Sequence, residues 1–412
     1  MSLDEIFEAY ESCRKNKRRT ANAVAFEIDY ESNLVALWRD INGGTYTPGA
    51  SLAFVVDKPV KREIFAAGFR DRVVHHLIIN KVNHLFEREF IYDSYACRVG
   101  KGTHLGIRRV DRFIRRSSHN YARDAYILKL DIKGFFMSIN RKLLFDRLAA
   151  FLRTRYHLED RELLIDLCRK VIFSDPAKHS RVRGRREDWD RLPRDKSLFH
   201  AHRGCGLPIG NLTSQVFANF YLNPLDHYLK HSLGIRFYGR YVDDFVIVHE
   251  DRSYLAALIP VIRSYLRDTL RLTLHPKKVY LQHYNRGVAF LGTVIKPNRI
   301  YVARRTKRNF AAAVDRHNRI ACRRRPRRAE HRAFQSSINS YLGILRHYAT
   351  WRLRVRMLER ISPWWWKVFR YGADAAKVDD RVGGHRRTVE QRGAGPPAGF
   401  CRPRARTDEG GR

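Results

Sequence analysis

Two adjacent aspartates, Asp243 and Asp244, stand in the middle of an otherwise apolar segment, RFYGRYVDDFVIVHED (236–251). Tyr241 and Val242 precede them; Phe245, Val246, Ile247 and Val248 follow. Short apolar runs rich in β-branched and aromatic residues read as buried strands. Two carboxylates side by side repel each other unless a cation neutralises them. One reading is a solvated hairpin turn, because Asp bonds nearby backbone and tolerates unusual φ/ψ. Asp-Asp is not the usual two-residue hairpin pair, however, which prefers Gly in its second position. The other reading is a divalent-metal site.

Charge narrows the partner. The 412 residues leave room for two or three structural units and a large core. Lys and Arg number 80 against 42 Asp and Glu, a formal net charge of +38. Such an excess points to a polyanion, with nucleic acid the first candidate. Anionic membrane competes, but no long uncharged apolar run is present, so no membrane partner is expected. The N-terminal MSLDEIFEAYESCRKNKRR reads as an amphipathic helix with an acidic start rather than a signal peptide. The six cysteines form no C-x-x-C pair, which argues against a zinc knuckle and for reduced thiols in a cytoplasmic protein. No internal repeat is visible.

The first 50 residues read as a helical extension closed by the polar turn NGGTYTPG. AFVVDKPVKREIFAAGFRDRVVHHLIINKVNHLFEREF is strand-like in its first part and has apolar residues at helical spacing in its second. DAYILKLDIKGFF is a short strand that ends on Asp131; RKLLFDRLAAFLRTRY is an amphipathic helix. Residues 175–206 are charged and turn-rich, a surface insertion. GNLTSQVFANFYLNPLDHYLK is a loop leading into a helix. The hairpin around Asp243, a helix near 253–271 and a strand pair in VAFLGTVI and RIYVARR follow. Residues 304–370 are Arg-rich and helical. From about 372, Gly, Pro, Arg and Asp dominate, a composition that buries too little apolar surface to offset its ordering entropy, so a disordered basic tail is expected. The class is α+β. If the strands ending at Asp131 and Asp243 are neighbours, three carboxylates converge at one sheet edge and can hold two Mg²⁺ ions about 4 Å apart for in-line phosphoryl transfer.

YILKLDIKGFF, GLPIGNLTSQVFANFYLNPLD, YVDDFVIV, LTLHPKKVY and VAFLGTVI occur in the order of the motifs of a reverse transcriptase palm, over roughly residues 55–300, and the chain resembles that family. SDPAKHSRVRGRREDWDRLPRDKSLF, NSYLGILRHYATWRLR and LPIGNLTSQ further resemble the reverse transcriptases of diversity-generating retroelements. The resemblance implies a right-hand polymerase fold: N-terminal extension 1–50, fingers 51–125, palm 126–300 with an insertion at about 168–206, helical thumb 301–371 and tail 372–412. It implies an RNA-directed DNA polymerase with two Mg²⁺ ions, Mn²⁺ being an alternative. Its partners would be template RNA, the RNA/cDNA duplex, dNTPs and a small helical accessory variability protein. The origin would be bacterial or phage.

Position by position, Asp131 and Asp243 would bind both metals with the Ile132 carbonyl, and Asp244 would shape the field of the site. Phe136, five residues after Asp131, would be a steric gate against the ribose 2′-OH; from spacing alone it reads as a core Phe. Ile209 stands where many relatives carry a Gln that contacts the incoming nucleotide, which implies loose base selection, especially opposite template adenine; packing against Phe217 is the plain alternative. Gly210 would let the backbone approach template and nucleotide. Ser214 and Gln215 would contact the template strand or cap the helix that follows, and Tyr241 and Gly292 complete the template–primer set. Lys61, Arg62 and Arg70 would grip the triphosphate, although charge runs are usually solvated faces. Lys278 would assist pyrophosphate departure or lie idle on the surface. Arg-rich thumb helices would follow duplex phosphates, with PWWWK stacking on bases or packing the thumb core. Two readings compete with this one: a retron or group II intron-type reverse transcriptase, and a catalytically inactive nucleic-acid binder. No endonuclease motif, maturase-like extension or RNase H carboxylate set is apparent, and the intact aspartates argue against the binder.

Overall fold

The computed structural model describes residues 1–15, 20–57 and 60–381. The chain divides into two compact units, Met1–Val288 and the residues from Ala289 onward.

The first unit opens with α1 (Leu3–Arg14), α2 (Ala21–Glu27) and α3 (Tyr30–Asn42), three helices where the sequence reading resolved one. Ser2 and Glu5 start α1 as a reciprocal capping box. Leu34, Leu37 and Ile41 recur every three or four residues, so one face of α3 joins Ile6, Ala9 and Tyr10 in the main core. β1 (Ser51–Val56) and β2 (Arg62–Ala66) pair antiparallel. Next come α4 (Phe69–Glu89) and α5 (Thr103–Ser117). The buried Lys81 of α4 pins α1 through Glu5, and holds Asp160 at 2.7 Å.

β3 (Tyr126–Asp131), α6 (Phe135–Ser138), α7 (Arg141–Arg155) and α8 (Arg161–Phe173) follow. Then comes the charged insertion. Its β4 (Ser180–Val182) joins β1 in parallel, and the rest runs in short 3₁₀ turns. The insertion is held by one buried carboxylate. Glu63 accepts from Trp189 Nε1 (2.7 Å), Ser197 Oγ (2.8 Å) and the Leu198 N–H (2.6 Å). Strand alternation puts Glu63 on the face of Phe65, so all of its hydrogen bonds are internal. Glu63→Gln places an amide N–H₂ against at least one of these donors and is expected to cost about 1–3 kcal/mol. Thermal melting and limited proteolysis within 183–197 check it; an unchanged melting temperature would remove Glu63 as the anchor.

α9 (Leu212–His227), β5 (Tyr238–Tyr241), β6 (Asp244–His249), α10 (Arg252–Leu270) and β7 (Tyr280–His283) complete the unit. Four strands form one antiparallel sheet in the order β5-β6-β3-β7. The helices pack their apolar stripes against it around Leu128, Leu130, Phe245 and Ile247.

The second unit begins within β8 (Val288–Phe290), which forms one sheet with β9 (Thr293–Lys296) and β10 (Arg299–Val302) in the order β10-β9-β8. Leu291 and Gly292 turn between β8 and β9 with φ of 47° and 83°, the positive values a type I′ turn needs at both positions. Four helices follow: α11 (Arg304–Arg323), α12 (Arg328–Leu345), α13 (Trp351–Glu359) and α14 (Pro363–Trp366). Their core includes Phe310, Val314, Phe334, Leu342 and Trp365. Trp365 is fully buried and stacks on Phe334 at 4.1 Å, while Trp364 and Trp366 lie half-buried against the same cluster, so the Trp triplet packs this core.

The disordered tail expected from 372 needs correction over its first ten residues. β12 (Val378–Asp380) pairs antiparallel with β11 (Phe369–Tyr371). The Asn339 side chain bonds both the N–H (2.7 Å) and the carbonyl (2.8 Å) of the buried Val378. These long-range bonds order a stretch whose composition alone gives no reason for order. Residues 382–412 lie outside the described residues, Cys401 among them; the other five cysteines form no disulfide among the described residues. No helix among the described residues is long and apolar enough to cross a membrane.

Candidate active site

β3 and β6 set the register of the acidic edge. Asp131, last in β3, is the antiparallel partner of Asp244, first in β6. Asp244 also pairs with Tyr241, the last residue of β5. The hairpin turn is therefore Val242-Asp243, one residue earlier than an Asp-Asp turn. Asp243 projects from the turn beside the Asp131–Asp244 pair. Val242 takes a left-handed φ of 54°. Left-handed backbone costs a non-Gly residue on the order of 1–3 kcal/mol, and a β-branched one is a marked outlier.

The carboxylates are in unequal states. Burial, then the neighbouring Asp131 carboxylate, pushes Asp243 up to about 6, against a bond from its own amide that lowers it. Asp244 is also raised, by burial first, with the Lys129 ammonium at 3.1 Å acting the other way. Its Oδ1 is buried and has no hydrogen-bond partner among the described residues. Lys278 Nζ donates to both oxygens of Asp131, at 2.9 and 3.0 Å. Close to Asp131, the His275 N–H bonds the Asp131 carbonyl (2.8 Å) and the Lys133 N–H bonds the Thr273 carbonyl (2.9 Å). Ile132 thus faces Leu274 in the non-hydrogen-bonded position of the bridge, and its carbonyl is outside that ladder.

Among the described residues, no three His, Cys, Asp or Glu side chains already form a metal cage. The donor chemistry still fits a hard divalent cation: mutually repelling carboxylates at one sheet edge, Asp243 and Asp244 both raised and Asp244 with an unpartnered buried oxygen. Mg²⁺ takes one or two carboxylates and completes its shell with water and phosphate oxygens.

Phe136 and Ile209, 73 positions apart, pack half-buried on one small cluster with Ala53, Phe65, Met137 and Leu198. Ile209 thus shares a cluster with the residue expected to act as the gate. Its carbonyl accepts the Phe65 N–H at 2.8 Å, stitching this loop to β2. Gly210 has φ 126°, and a Cβ there would stand 2.9 Å from Ile64 Cγ2 and 3.2 Å from the Phe65 carbonyl oxygen. Within the protein, the close approach that requires glycine is to β2.

The helix-cap reading of Ser214 and Gln215 does not hold. The N-cap of α9 is Asn211, whose Oδ1 accepts the Ala67 N–H at 3.1 Å. Ser214 is buried; Gln215 is exposed and accepts from Cys97 Sγ at 3.1 Å. Arg70 is engaged elsewhere, bonded to Asp40 and lying 5.0 Å from the Tyr46 ring. Lys61 is half-buried and Arg62 exposed, and neither has an ion pair among the described residues. Gly292 belongs to the second unit. Sequence reasoning missed Glu63 and Lys129. Lys129 alternates with the apolar residues of β3, and that period-two pattern was the available signal.

In comparison with known proteins, Protein YkfC of Escherichia coli (strain K12) is 24% identical over 294 residues, covering 61% of this chain and 70% of that protein. Among solved structures, the apo telomerase from Candida tropicalis is similar at 13% identity and a TM-score of 0.47, over 76% of this chain and 55% of that one. Telomerase from Candida albicans in complex with the TWJ fragment of telomeric RNA is similar at 11% identity and a TM-score of 0.46, over 83% of this chain and 64% of that one. The chain thus spans less than two thirds of the length of these telomerases. The family described as reverse transcriptase (RNA-dependent DNA polymerase) matches residues 61–295, more than half of the chain and the whole acidic edge, so the chain belongs to the reverse transcriptase family.

Proposed function

We propose that this chain copies a template RNA into cDNA at the Asp131–Asp243–Asp244 edge, and that it does so with low fidelity in a diversity-generating retroelement. The observation that carries the site is the register that pairs Asp131 with Asp244 and leaves Asp243 in the turn beside them. Asp131 and Asp243, with the Ile132 carbonyl, are the residues that would hold two divalent ions. Bound there, the ions would supply Lewis-acid charge to the primer 3′-OH and to the triphosphate. Asp244, held by Lys129, keeps the local field negative. Lys278 brings an ammonium at Nζ to the same edge and would neutralise the departing pyrophosphate. Lys61 and Arg62 remain the fingers cations for the triphosphate; Arg70 supports the fold through Asp40.

The right-hand division would make the second unit the thumb. On α11, Arg304, Arg305, Arg308, Arg316, Arg319 and Arg323 are exposed, while Phe310, Ala313 and Val314 are buried. Such a stripe suits duplex phosphates and would bind them salt-dependently. The low-fidelity part of the reading rests on Ile209, which offers no hydrogen bond where the family's Gln would contact the nucleotide. A small helical accessory protein completes the proposal.

Primer extension on an RNA template with Mg²⁺, dNTPs or rNTPs, followed by product sequencing, tests it. The expected result is DNA synthesis with substitutions concentrated at template adenines, reduced about tenfold or more by Ile209→Gln, the discrimination one added polar contact can supply. Faithful synthesis that Ile209→Gln leaves unchanged would move the chain to the retron or intron class.

A further inference from the structure

Beneath the hairpin turn lies a fully buried ion pair that the chemistry above does not use. Arg240 and Asp226 are both 0% exposed. Arg240 Nε donates to Asp226 Oδ1 at 2.7 Å, and Nη2 donates to Asp226 Oδ2. The Tyr238 hydroxyl donates to the same carboxylate. Charge neutrality is thus satisfied without the remaining donors. Those donors go to the turn and its surroundings. Nη1 donates to the Val242 carbonyl at 3.0 Å and to Asn219 Oδ1 at 3.2 Å; Nη2 also reaches Ser94 Oγ at 3.3 Å.

The backbone of Arg240 is clamped too. Its N–H bonds the Asp93 carbonyl (2.9 Å), and its carbonyl accepts the Tyr95 N–H (3.0 Å). The Asp93 carboxylate is gripped by Arg109 of α5 at 2.6 and 2.8 Å. Gly239 leaves room for this approach, since a Cβ there would stand 2.3 Å from the Tyr95 hydroxyl.

A lysine could neutralise Asp226, but a single ammonium cannot bridge a carboxylate in two places and also reach the turn; the rigid guanidinium fork can. The carbonyl it reaches belongs to Val242, the β-branched residue in a left-handed conformation. Strain of this kind persists only where the surroundings over-determine it. We propose that Arg240 is the positioning residue of the acidic edge: its Nη1 arm holds the Val242 carbonyl, keeps the turn left-handed and so aims the Asp243 carboxylate at Asp131. This rests on the reading of Asp243 as a catalytic metal ligand.

The test is a double-mutant cycle of Arg240→Lys and Val242→Gly. Glycine adopts positive φ without steric cost, so the turn then needs no arm to hold it. Three quantities are read: kcat in primer extension, primer–template Kd, and Mn²⁺ affinity by EPR titration at pH 7. Arg240→Lys is expected to lower kcat about 30-fold, a typical result of misplacing a reacting group by less than 1 Å. Mn²⁺ affinity is expected to fall about tenfold, as when a metal ligand loses its outer support. Primer–template Kd is expected to stay within about twofold, because neither Arg240 nor Val242 is among the residues proposed to contact phosphates. In the Val242→Gly background the same lysine change is expected to cost less than about fivefold in kcat, the difference being the coupling between the two residues.

Equal losses in both backgrounds, or a folded Arg240→Lys with wild-type kcat and Mn²⁺ affinity, would overturn the proposal. If Arg240→Lys does not fold, Asn219→Ala takes its place. It leaves the Arg240–Asp226 pair intact and removes one of the acceptors that orient Nη1, with a kcat loss of about threefold to tenfold expected, again smaller with Val242→Gly. If the wild-type protein extends no primer even with an accessory protein and the native RNA supplied, the catalytic reading falls, and the Mn²⁺ titration still decides whether Arg240 orders the edge.

Discussion

Replacing Asp243 by asparagine is expected to lower primer extension at least about 10³-fold and at the same time to raise the melting temperature of the metal-free protein. The first effect follows from charge. Asn is nearly isosteric, so the turn survives, but a neutral amide cannot draw a divalent ion to the edge, and charge stabilisation at a phosphoryl group contributes several kcal/mol to catalysis. The second follows from the neighbours. Asp243 is desolvated and sits by the Asp131 carboxylate, which raises it from 3.8 to about 6. Unfolding relieves that repulsion, and so does asparagine.

The pH dependence fixes the sign. Between about 4 and 6 the folded chain holds a proton on Asp243 that the unfolded chain has already released. Stability therefore falls as pH rises through that window, and the penalty is complete above about 6. Wild type and Asp243→Asn should melt alike near pH 4. They should differ by about 1 kcal/mol at pH 7, or roughly 2 °C, once water at the open side of the turn is allowed for. Added Mg²⁺ should close that gap by stabilising the wild type alone. Differential scanning calorimetry at pH 4 and 7, with and without Mg²⁺, reads all of this. A variant that melts lower than wild type at pH 7 without metal would show that Asp243 is held by favourable bonds, against the reading of a carboxylate awaiting a cation.

The acidic edge was legible in the sequence because strand periodicity and chemistry agreed there. YILKLD reads as a strand ending on Asp131, and it is one. The apolar runs flanking Asp243 form β5 and β6. The turn itself was misplaced by one residue, since no local preference puts a β-branched residue at positive φ; the Val242 carbonyl accepts from Arg240, whose guanidinium is fixed in turn by Asp226 and Asn219. Gly210 shows the same limit. Its need for glycine is visible in the sequence, but whether it approaches a ligand or strand β2 depends on a contact about 145 positions away. Glu63 lies between two cationic residues and two apolar ones, so composition marks it as surface; alternation with Phe65 and the donors of a distant insertion bury it. The strand at 378–380 was illegible for a related reason. Its partners are Asn339 and residues 369–371, and composition reports only what a segment could bury by itself.

Phe136→Ala is expected to erode discrimination against ribonucleotides by on the order of 10²-fold in the ratio of kcat/KM values, mainly by raising rNTP use. A steric gate must be rigid, because a side chain that moves aside excludes nothing. Phe136 has the support such a wall needs. Its ring meets Phe135 edge-on at 5.6 Å and packs on the Ala53–Phe65–Met137–Leu198 cluster beside Ile209. Its own carbonyl accepts the Leu207 N–H at 2.8 Å, so the backbone beneath the ring is fixed as well. Phe136 is only partly buried, and truncation should cost only about 1–2 kcal/mol, well below the 3–5 typical of a fully buried Phe. The variant should therefore fold, and a change in sugar selectivity can be separated from a loss of protein. Single-nucleotide extension with dNTP and rNTP measures the ratio. A parallel fall in both rates with the ratio unchanged would make Phe136 a packing residue. A selective rise for rNTP would place the 2′ face of the incoming sugar against this ring, and would put Ile209, on the same cluster, within reach of its base.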